Sequence, residues 1–424
     1  MNGGRIAFYG DDFTGSVDAL LQYRRTGLTG VLFTGPDHLS TMGAEDSDVV
    51  GIAGIARGLP TEDMPGEVGP ALRALRDLRP RLVQYKASST TDSSPAVGSL
   101  GRAVELGRAV FGECLVAALF AQPDFGRYTV FGTHFARDGE RVHRLDRQPT
   151  MSTHPVTPID EADLTRLLAA QTSLRVGSLP FTSYACPVDA QAGLLTADGV
   201  ADDIVVLDAL DDDHLAAAGR AVVGQPQRPV FALGSGGLSR AVGLALTGTS
   251  VELPSAAPAA SGPVLVVSGS ASERSWAQVR YAVAHGWQAV DVLAETAPWQ
   301  VAAAGFAAGR SVVAYTSAPG GRRDPDGDRL AERLARTVCE VAAAGELGRL
   351  VVAGGDTSGR VLRRLEVAAI EIVATPWGNA ALCRASGSGS CVHGVEVVLK
   401  GGQMGPVGLF ELIRTGSADE TSGR

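Results

Sequence analysis

The chain has 424 residues, 45% of them apolar and 20% charged, with 53 glycines and a formal net charge of −9. That length allows two or three domains with sizeable cores, and no run of Lys or Arg supplies the basic stripe of a nucleic-acid binder. No apolar run approaches the roughly 20 residues of a membrane span, and the opening MNGGRIAFYGDD lacks a signal-peptide apolar region, so a cytoplasmic protein without membrane or nucleic-acid partners is expected.

In chain order, Arg5–Gly10 reads as a buried first strand that runs into Asp11-Asp12-Phe13-Thr14-Gly15, with a helical pattern from Ser16. Two carboxylates at the C-terminal end of a strand lie where open α/β sheets bind ligands. One could cap the helix. Capping does not require both, so a functional role is preferred. Val31–Thr34 and Val49–Ala53 read as strands, Met64–Leu78 as a helix and Leu82–Lys86 as a strand. After Lys86, seven of the eight residues 88–95 carry a hydroxyl or an acid. Such a loop offers the donors and acceptors that a polyhydroxylated ligand needs, and Lys86 could pair with a carboxylate or phosphate. A solvated loop with a helix cap fits the composition equally well.

Further along, Val97–Phe111 reads as a helix, Val116–Phe120 as a strand, and another strand begins at Tyr128. Thr150–Pro158 is rigid and non-helical, so its prolines would hold His154 as a positioned hydrogen bonder. Asp160 is expected to cap a helix to Gln171. Leu174–Val176 and Ile204–Asp208 read as strands. Asp211, Asp212 and Asp213 read as capping for the helix Leu215–Val222, not as a metal site. Val230–Leu233 leads into the turn Gly234–Gly237 and a helix to Leu246.

Ser255–Pro263, SAAPAASGP, has linker composition and no periodicity. Beyond it, Val264–Val267 meets the turn Ser268–Ser272, then a helix over Glu273–Ala284 that would bury Trp276, Val279 and Val283. Val290–Leu293, Ser311–Thr316, Leu350–Ala353, Glu371–Ala374 and Gly394–Leu399 read as strands, with helices at Pro298–Ala308 and Arg329–Ala344. The stretch VVAGGDTSGR, Val351–Arg360, is a strand, a glycine turn and a helix start. That combination can present backbone N–H groups to an anion. Cys114, Cys186, Cys339, Cys383 and Cys391 are scattered and odd in number, and read as reduced, mostly buried thiols. The β–α alternation predicts two α/β domains with largely parallel sheets and an active site in the interdomain cleft. The predicted parts are an N-terminal domain over 1–254, a linker over 255–263, a C-terminal domain over 264–414 and a disordered tail over 415–424.

The segments IAFYGDDFTGSVDAL, YKASSTTDSSPAVGSLGRA, HPVTP, SGSASERSWAQV, VVAGGDTSGRV, LCRASG and VVLKGGQMG, in that order, resemble the four-carbon acid sugar kinases. The resemblance runs from about Arg5 to Phe410. It implies ATP-dependent phosphorylation of a hydroxyl of 3-oxo-tetronate, threonate or erythronate, with the sugar acid on the N-terminal domain and ATP on the C-terminal one. Asp11, Asp12 and Thr14 match the family's D-D-x-T-G. Lys86, Ser89, Thr90, Asp92 and Ser93 match its K-x-x-S-T-x-D-S loop, and His154 and Thr157 its H-P-x-T-P segment. Ser268, Gly269, Ser270 and Ser272, with Gly354, Gly355, Asp356 and Thr357, match its nucleotide turns; Lys400, Gly401 and Gly402 match its final turn. Where the family often has Cys-Ser-Thr-Phe, this chain has Ser88-Ser89-Thr90-Thr91, and its His-Leu-Phe becomes His134-Phe135-Ala136. These departures fall in the substrate domain and leave a branched relative such as 3-oxo-isoapionate admissible.

Phosphoryl transfer needs positioning and charge neutralisation. Asp12 is the first choice to orient or deprotonate the attacking hydroxyl, with Asp11 and Asp92 next. Lys86 would pair with the substrate carboxylate. Mg²⁺ is expected from the chemistry, and its ligands are not assigned. A nucleotide-cofactor oxidoreductase is disfavoured, because no G-x-G-x-x-G follows the first strand. A non-catalytic sugar-acid-binding protein is the other alternative. The oligomeric state stays open, a homodimer among the options.

Overall fold

The computed structural model describes residues 5–39, 46–196, 201–316, 326–377, 380–402 and 404–416. The chain forms two compact units. One runs to Val31 and then from Leu39 to Val251; the other takes Leu32–His38 and the chain from Glu252. Residues 32–38 therefore pack with the C-terminal unit although they stand early in the sequence.

The first unit opens with β1 (Ile6–Gly10), α1 (Phe13–Arg24), β2 (Gly30–Phe33, shared with the second unit) and β3 (Val49–Ala53). It continues with α2 (Met64–Asp77), β4 (Leu82–Lys86), α3 (Leu100–Phe111) and β5 (Val116–Leu119). A meander follows: β6 (Arg127–Val130), β7 (Thr133–Asp138) and β8 (Arg141–Arg144). Then come α4 (Leu164–Ala169), β9 (Val176–Leu179), α5 (Val188–Gln191), β10 (Ile204–Leu207), α6 (Asp212–Gly224), β11 (Val230–Gly234) and α7 (Gly236–Thr247).

Seven of these strands pair in parallel in the order β3-β1-β4-β11-β5-β10-β9. Every residue of β1, β3, β4, β5, β10 and β11 is buried. That explains why they read as continuous apolar runs rather than alternating ones. The register sets Gly10 beside Ala53 and Lys86, and Lys86 beside Gly234. The residues that follow these strands thus emerge at one level.

The second unit contains β12 (Val264–Ser268), α8 (Glu273–Ala284), β13 (Gln288–Asp291), α9 (Pro298–Ala307), β14 (Val312–Tyr315) and α10 (Gly327–Ala344). It ends with β15 (Arg349–Ala353), α11 (Gly355–Arg364), β16 (Ala369–Trp377), β17 (Ala380–Ser386), β18 (Glu396–Lys400) and α12 (Leu409–Thr415). Its strand order is β13-β14-β12-β15-β18-β17-β16. The pairs from β13 to β18 are parallel; β17 pairs antiparallel with both β18 and β16. Leu32 and Phe33 add to the outer edge of β16.

Several local expectations change. Strand β17 and helix α12 are absent from the linear reading, and the three-stranded meander interrupts the β–α alternation. Helix α4 is shorter than predicted, and its cap is Asp163, not Asp160, because Asp163 accepts from the N–H groups of Thr165 and Arg166. Asp211 does cap α6, accepting from the His214 N–H. On α8, Val279 is buried as expected but Val283 is 45% exposed, its place inside taken by Ala282. Thr415 and Gly416, predicted as tail, are the last residue and the C-cap of α12; the remainder of that predicted tail, 417–424, lies outside the described residues. Cys339 and Cys391 are joined as a disulfide between α10 and the turn after β17, which corrects the reading of five reduced thiols. Their 52-residue separation gives no sequence signal of the pairing. No described helix is long and apolar enough to cross a membrane.

Arg349, fully buried at the start of β15, ties the base of this unit together. It donates to the Glu396 carboxylate at 2.7 Å and to the carbonyls of Ile413 and Pro258 at 2.7 and 2.8 Å. One guanidinium thus joins β18, α12 and the segment after Val251. Replacing Arg349 with Ala leaves Glu396 and two carbonyls without their donor. It should cost about 3 kcal/mol, the lower end for breaking a buried pair because Glu396 keeps some solvent contact. Urea denaturation of the variant against wild type measures it.

Candidate functional site

In the first unit, the turn after β1 carries Asp11 and Asp12, both buried. Asp12 is the N-cap of α1, where its Oδ1 accepts from the Gly15 N–H at 2.9 Å and its Oδ2 from the Thr14 hydroxyl at 2.7 Å. Arg57, in the turn after β3, donates through Nη2 to Asp11 Oδ1 and to Asp12 Oδ1, each at 2.7 Å. Burial pushes the Asp11 carboxyl up, helped by the charge of Asp12 and opposed by Arg57. Burial acts on Asp12 as well, but Arg57, Lys86 and the bonds from Thr14 and Gly15 outweigh it and hold Asp12 below the usual carboxylate range. The pair is thereby split into a better proton holder and a better anion.

Lys86, at the end of the neighbouring β4, is 2% exposed. Its ammonium donates to the Ala87 carbonyl at 2.8 Å and lies 3.9 Å from Asp18 Oδ2. A Cβ on Gly15 would come within 3.0 Å of Lys86 Nζ and 2.3 Å of Asp12 Oδ1, so the glycine is needed for this approach. The loop after Lys86 is held by its own hydroxyls: Ser88 and Thr90 share a bond of 2.9 Å, and Thr90 donates to Asp92 Oδ1 at 2.6 Å. The Asp92 charge acts on Arg57, which brings the loop into the same field.

His134 on β7 fixes the loop from behind. Its Nε2–H donates to the Ser89 carbonyl and its Nδ1 accepts from the Thr129 hydroxyl, each at 2.9 Å. Burial outweighs the Ser89 bond and pushes this imidazole down to about 4.

The other predicted residues do not all converge. Ser93 is committed internally, donating to the Thr91 carbonyl and accepting from Gln171. His154 and Thr157 form a closed local motif, in which His154 Nδ1 accepts from the Thr157 N–H at 3.1 Å and bonds its hydroxyl at 2.9 Å. Among the described residues, no hydrogen bond links that motif to the carboxylate cluster. Arg57, Asp18 and Gln122 join the cluster without having been singled out. Arg57 sits in an ordinary-looking GIARGLP. Asp18 left one faint signal, a carboxylate between the apolar Val17 and Ala19 of an otherwise core-facing helix.

In the second unit the register sets Ser268 beside Ala353, and Ala353 beside Lys400. The three predicted turns therefore meet. Gly269 N–H donates to Ala353 O, and Gly354 N–H to Lys400 O. A Cβ on Gly269 would lie 2.2 Å from Thr357 Oγ1, and Gly354 has φ 120°, so neither position admits a side chain without strain. Ser272 caps α8, and its hydroxyl and that of Ser275 donate to Gly402 O at 2.6 and 3.0 Å. Lys400 donates to Ser275 Oγ and to the carbonyls of Gly401 and Gly402 at 2.9–3.1 Å. Two of these bonds serve the turn itself and the third ties it to α8. Burial, with Arg274's charge adding to it, pushes Lys400 down to about 8.

Helix α11 differs from α8: its cap, Gly354, provides no side-chain acceptor. The first-turn N–H groups of Gly355, Asp356 and Thr357 thus remain as donors of the kind that hold phosphates. Among the described residues, no group of three or more His, Cys, Asp or Glu is placed to hold a metal ion.

Residues 6–242 match the model of a sugar-binding N-terminal domain, and residues 265–410 that of a nucleotide-binding C-terminal domain. The 3-oxo-isoapionate kinase of Paraburkholderia graminis is 34% identical over 97% of this chain and 94% of its own length. The 3-oxo-tetronate kinase of Pseudomonas fluorescens is 31% identical over 85% and 86%, and the D-threonate kinase of Bordetella bronchiseptica 28% over 96% and 95%. A solved Salmonella typhimurium protein described as a tRNA synthase covers 97% of this chain and 98% of its own, with TM-score 0.78 and 23% identity. A Haemophilus influenzae protein of the DUF1537 group covers 96% and 99%, with TM-score 0.73 and 21% identity; these two likenesses speak to the fold alone. The chain belongs to the four-carbon acid sugar kinase family.

The folded-state pKa of His134 lies below its ordinary value of 6.5, so the unfolded chain binds a proton first as pH falls. Its contribution is fully present above pH 6.5 and is lost between there and about 4. The loss amounts to about 3 kcal/mol. Urea denaturation across that range should show this slope in the wild type, and His134→Gln should flatten it.

Proposed function

We propose, with that family membership as the premise, that this chain transfers the γ-phosphoryl group of ATP to a hydroxyl of a small sugar acid. The chain is a sugar-acid kinase; the proposal concerns its nucleotide, its acid and its residues. The observation that carries it is the cluster of buried Asp11, Asp12 and Lys86 with half-buried Arg57 after the ends of adjacent parallel strands. Such a site presents carboxylates and an ammonium to a ligand that itself bears hydroxyls and a carboxylate.

In the reaction, the substrate oxygen forms a bond to the γ-phosphorus while the bond to the β-bridging oxygen breaks and ADP leaves. The hydroxyl proton passes to a carboxylate. Asp12 is the assigned acceptor, with Asp11 and Asp92 next. Lys86 pairs with the carboxylate of the acid, since Asp18 leaves it at 3.9 Å without a short bond. The α11 N-terminus and the turns at Ser268–Ser272 and Lys400–Gly402 hold the nucleotide phosphates, with Lys400 acting through the turn it braces. Mg²⁺ on the phosphates would supply charge neutralisation.

The acids proposed are 3-oxo-tetronate, threonate and erythronate. The branched 3-oxo-isoapionate is a second reading, favoured by the 34% identity over nearly the whole chain to a relative of that name. ADP release measured over a panel of four- and five-carbon sugar acids tests the reaction. At least one acid should stimulate release well above the ATP-only rate. If none does while several stabilise the protein to heat, the chain binds sugar acids without phosphorylating them. Asp12→Asn should lower turnover about 100-fold or more while ATP still binds. Near-normal turnover would move the proton to another carboxylate.

A further inference from the structure

We infer that Asp18 and Gln122, beside Lys86, form the subsite that reads one hydroxyl of the sugar acid. The inference rests on the sugar-acid reading above and names side chains that set its selectivity.

Asp18 lies on α1, one and a half turns beyond Asp12. Its carboxylate has partners, but long ones. Gln22 Nε2 lies 3.3 Å from Oδ1, Gln122 Nε2 lies 3.1 and 3.3 Å from the two oxygens, and Lys86 Nζ is 3.9 Å from Oδ2. A carboxylate offers about four acceptor positions, so Asp18 has capacity left. Asp12, by contrast, takes three bonds of 2.7–2.9 Å. Burial, with the charge of Asp124, raises Asp18, and Lys86 and the two glutamines oppose that.

Gln122 supplies a separate observation. It is 1% exposed, and its Oε1 is buried with no hydrogen-bond partner. The amide cannot simply turn over, because that would set an oxygen against the Asp18 carboxylate. A buried acceptor left unpaired is costly, and native proteins rarely keep one without a reason. Gln84, a similarly buried glutamine of the same unit, shows the contrast. Its Nε2 donates to the carbonyls of Gly234 and Ser235, and its Oε1 accepts from Tyr23 and Ser239.

The start of α7 packs closely against the pair, an approach that only a glycine at 236 permits. A Cβ on Gly236 would lie 2.3 Å from Asp18 Oδ2 and 2.9 Å from Gln122 Nε2. The Asp18 carboxylate and the unpaired Gln122 Oε1 belong to one hydrogen-bonded pair, and the Lys86 ammonium lies 3.9 Å from Asp18 Oδ2. They complement a hydroxyl donor on a molecule that carries a negative group close by, which is the chemistry of a hydroxylated carboxylic acid. A site built to bond a hydroxyl discriminates strongly against the analogue that lacks it, because its buried polar groups are then left unpaired.

The test uses the full chain with Asp18→Asn and Gln122→Met. Affinities for four-carbon sugar acids and for analogues lacking one hydroxyl are read by heat stabilisation, and KM and kcat by ADP release. The wild type should prefer the hydroxylated acid over one deoxy analogue. Each variant should weaken that acid about 10- to 100-fold, mostly in KM, and change the deoxy analogue by less than about 3-fold. Variants that bind both acids as the wild type does, or that lose both equally, overturn the assignment. Circular dichroism checks folding, and if Asp18→Asn does not fold, Gln122→Met decides alone. A wild type that binds acids with this pattern but releases no ADP sinks the kinase mechanism and leaves the subsite standing. Binding of no acid overturns both.

Discussion

Two carboxylates buried side by side cannot both stay charged unless a cation lies between them. Arg57 is that cation, and the organisation of the N-terminal unit follows from it. Its guanidinium reaches from the turn after β3 to the turn after β1 and bonds both acids. It thereby joins two loops that the parallel register had already set level. It also lets the acids diverge, with Asp11 raised and Asp12 lowered. Arg57 makes the short bonds to the pair, and Lys86 adds its charge from further off. Its ammonium remains in the site with only a carbonyl at short range.

The C-terminal unit solves a different problem with the same geometry. Parallel strands β12, β15 and β18 end together, so three short turns crowd into one place. Crowded turns hold many polar groups, and here those groups mostly satisfy each other. Ser272 and Ser275 hydroxyls and the Lys400 ammonium all point at the carbonyl of Gly402. Lys400 is thus a brace before it is a ligand. The turn into α11 is the exception, since a glycine with φ 120° caps the helix and contributes no side chain. A backbone shape open only to glycine coincides there with a helix start that has no side-chain cap.

Much was legible in advance. Buried parallel strands are apolar along their whole length, so β1, β3, β4, β11 and β12 stand out as runs that stop at polar turns. The end of such a strand is where a ligand meets the sheet, and this is why Asp11, Asp12, Lys86, Ser268 and Gly354 could be picked from linear order. Motif order identified the family for the same reason. Each motif is a strand end, and strand ends are what the chemistry constrains. Strand β17 was harder to read, because AALCRAS carries little β-branched character and takes its conformation from its antiparallel neighbours.

Other features belong to the tertiary structure alone. Nothing near Arg57 in the sequence says that it will face Asp11, because the 46-residue separation is closed only when β3 pairs with β1. Gln122 meets Asp18 across a gap of 104 residues, and Cys339 meets Cys391 across 52. Residues 32–38 join the C-terminal unit through the edge of β16, a choice of strand partner that a chain cannot announce locally. The amino-acid sequence by itself determined the buried parallel strands, the strand-end turns and the family, because those depend on residue type and short spacing. The folded structure decided which charges share a site, because a contact between distant residues is set by sheet order and register.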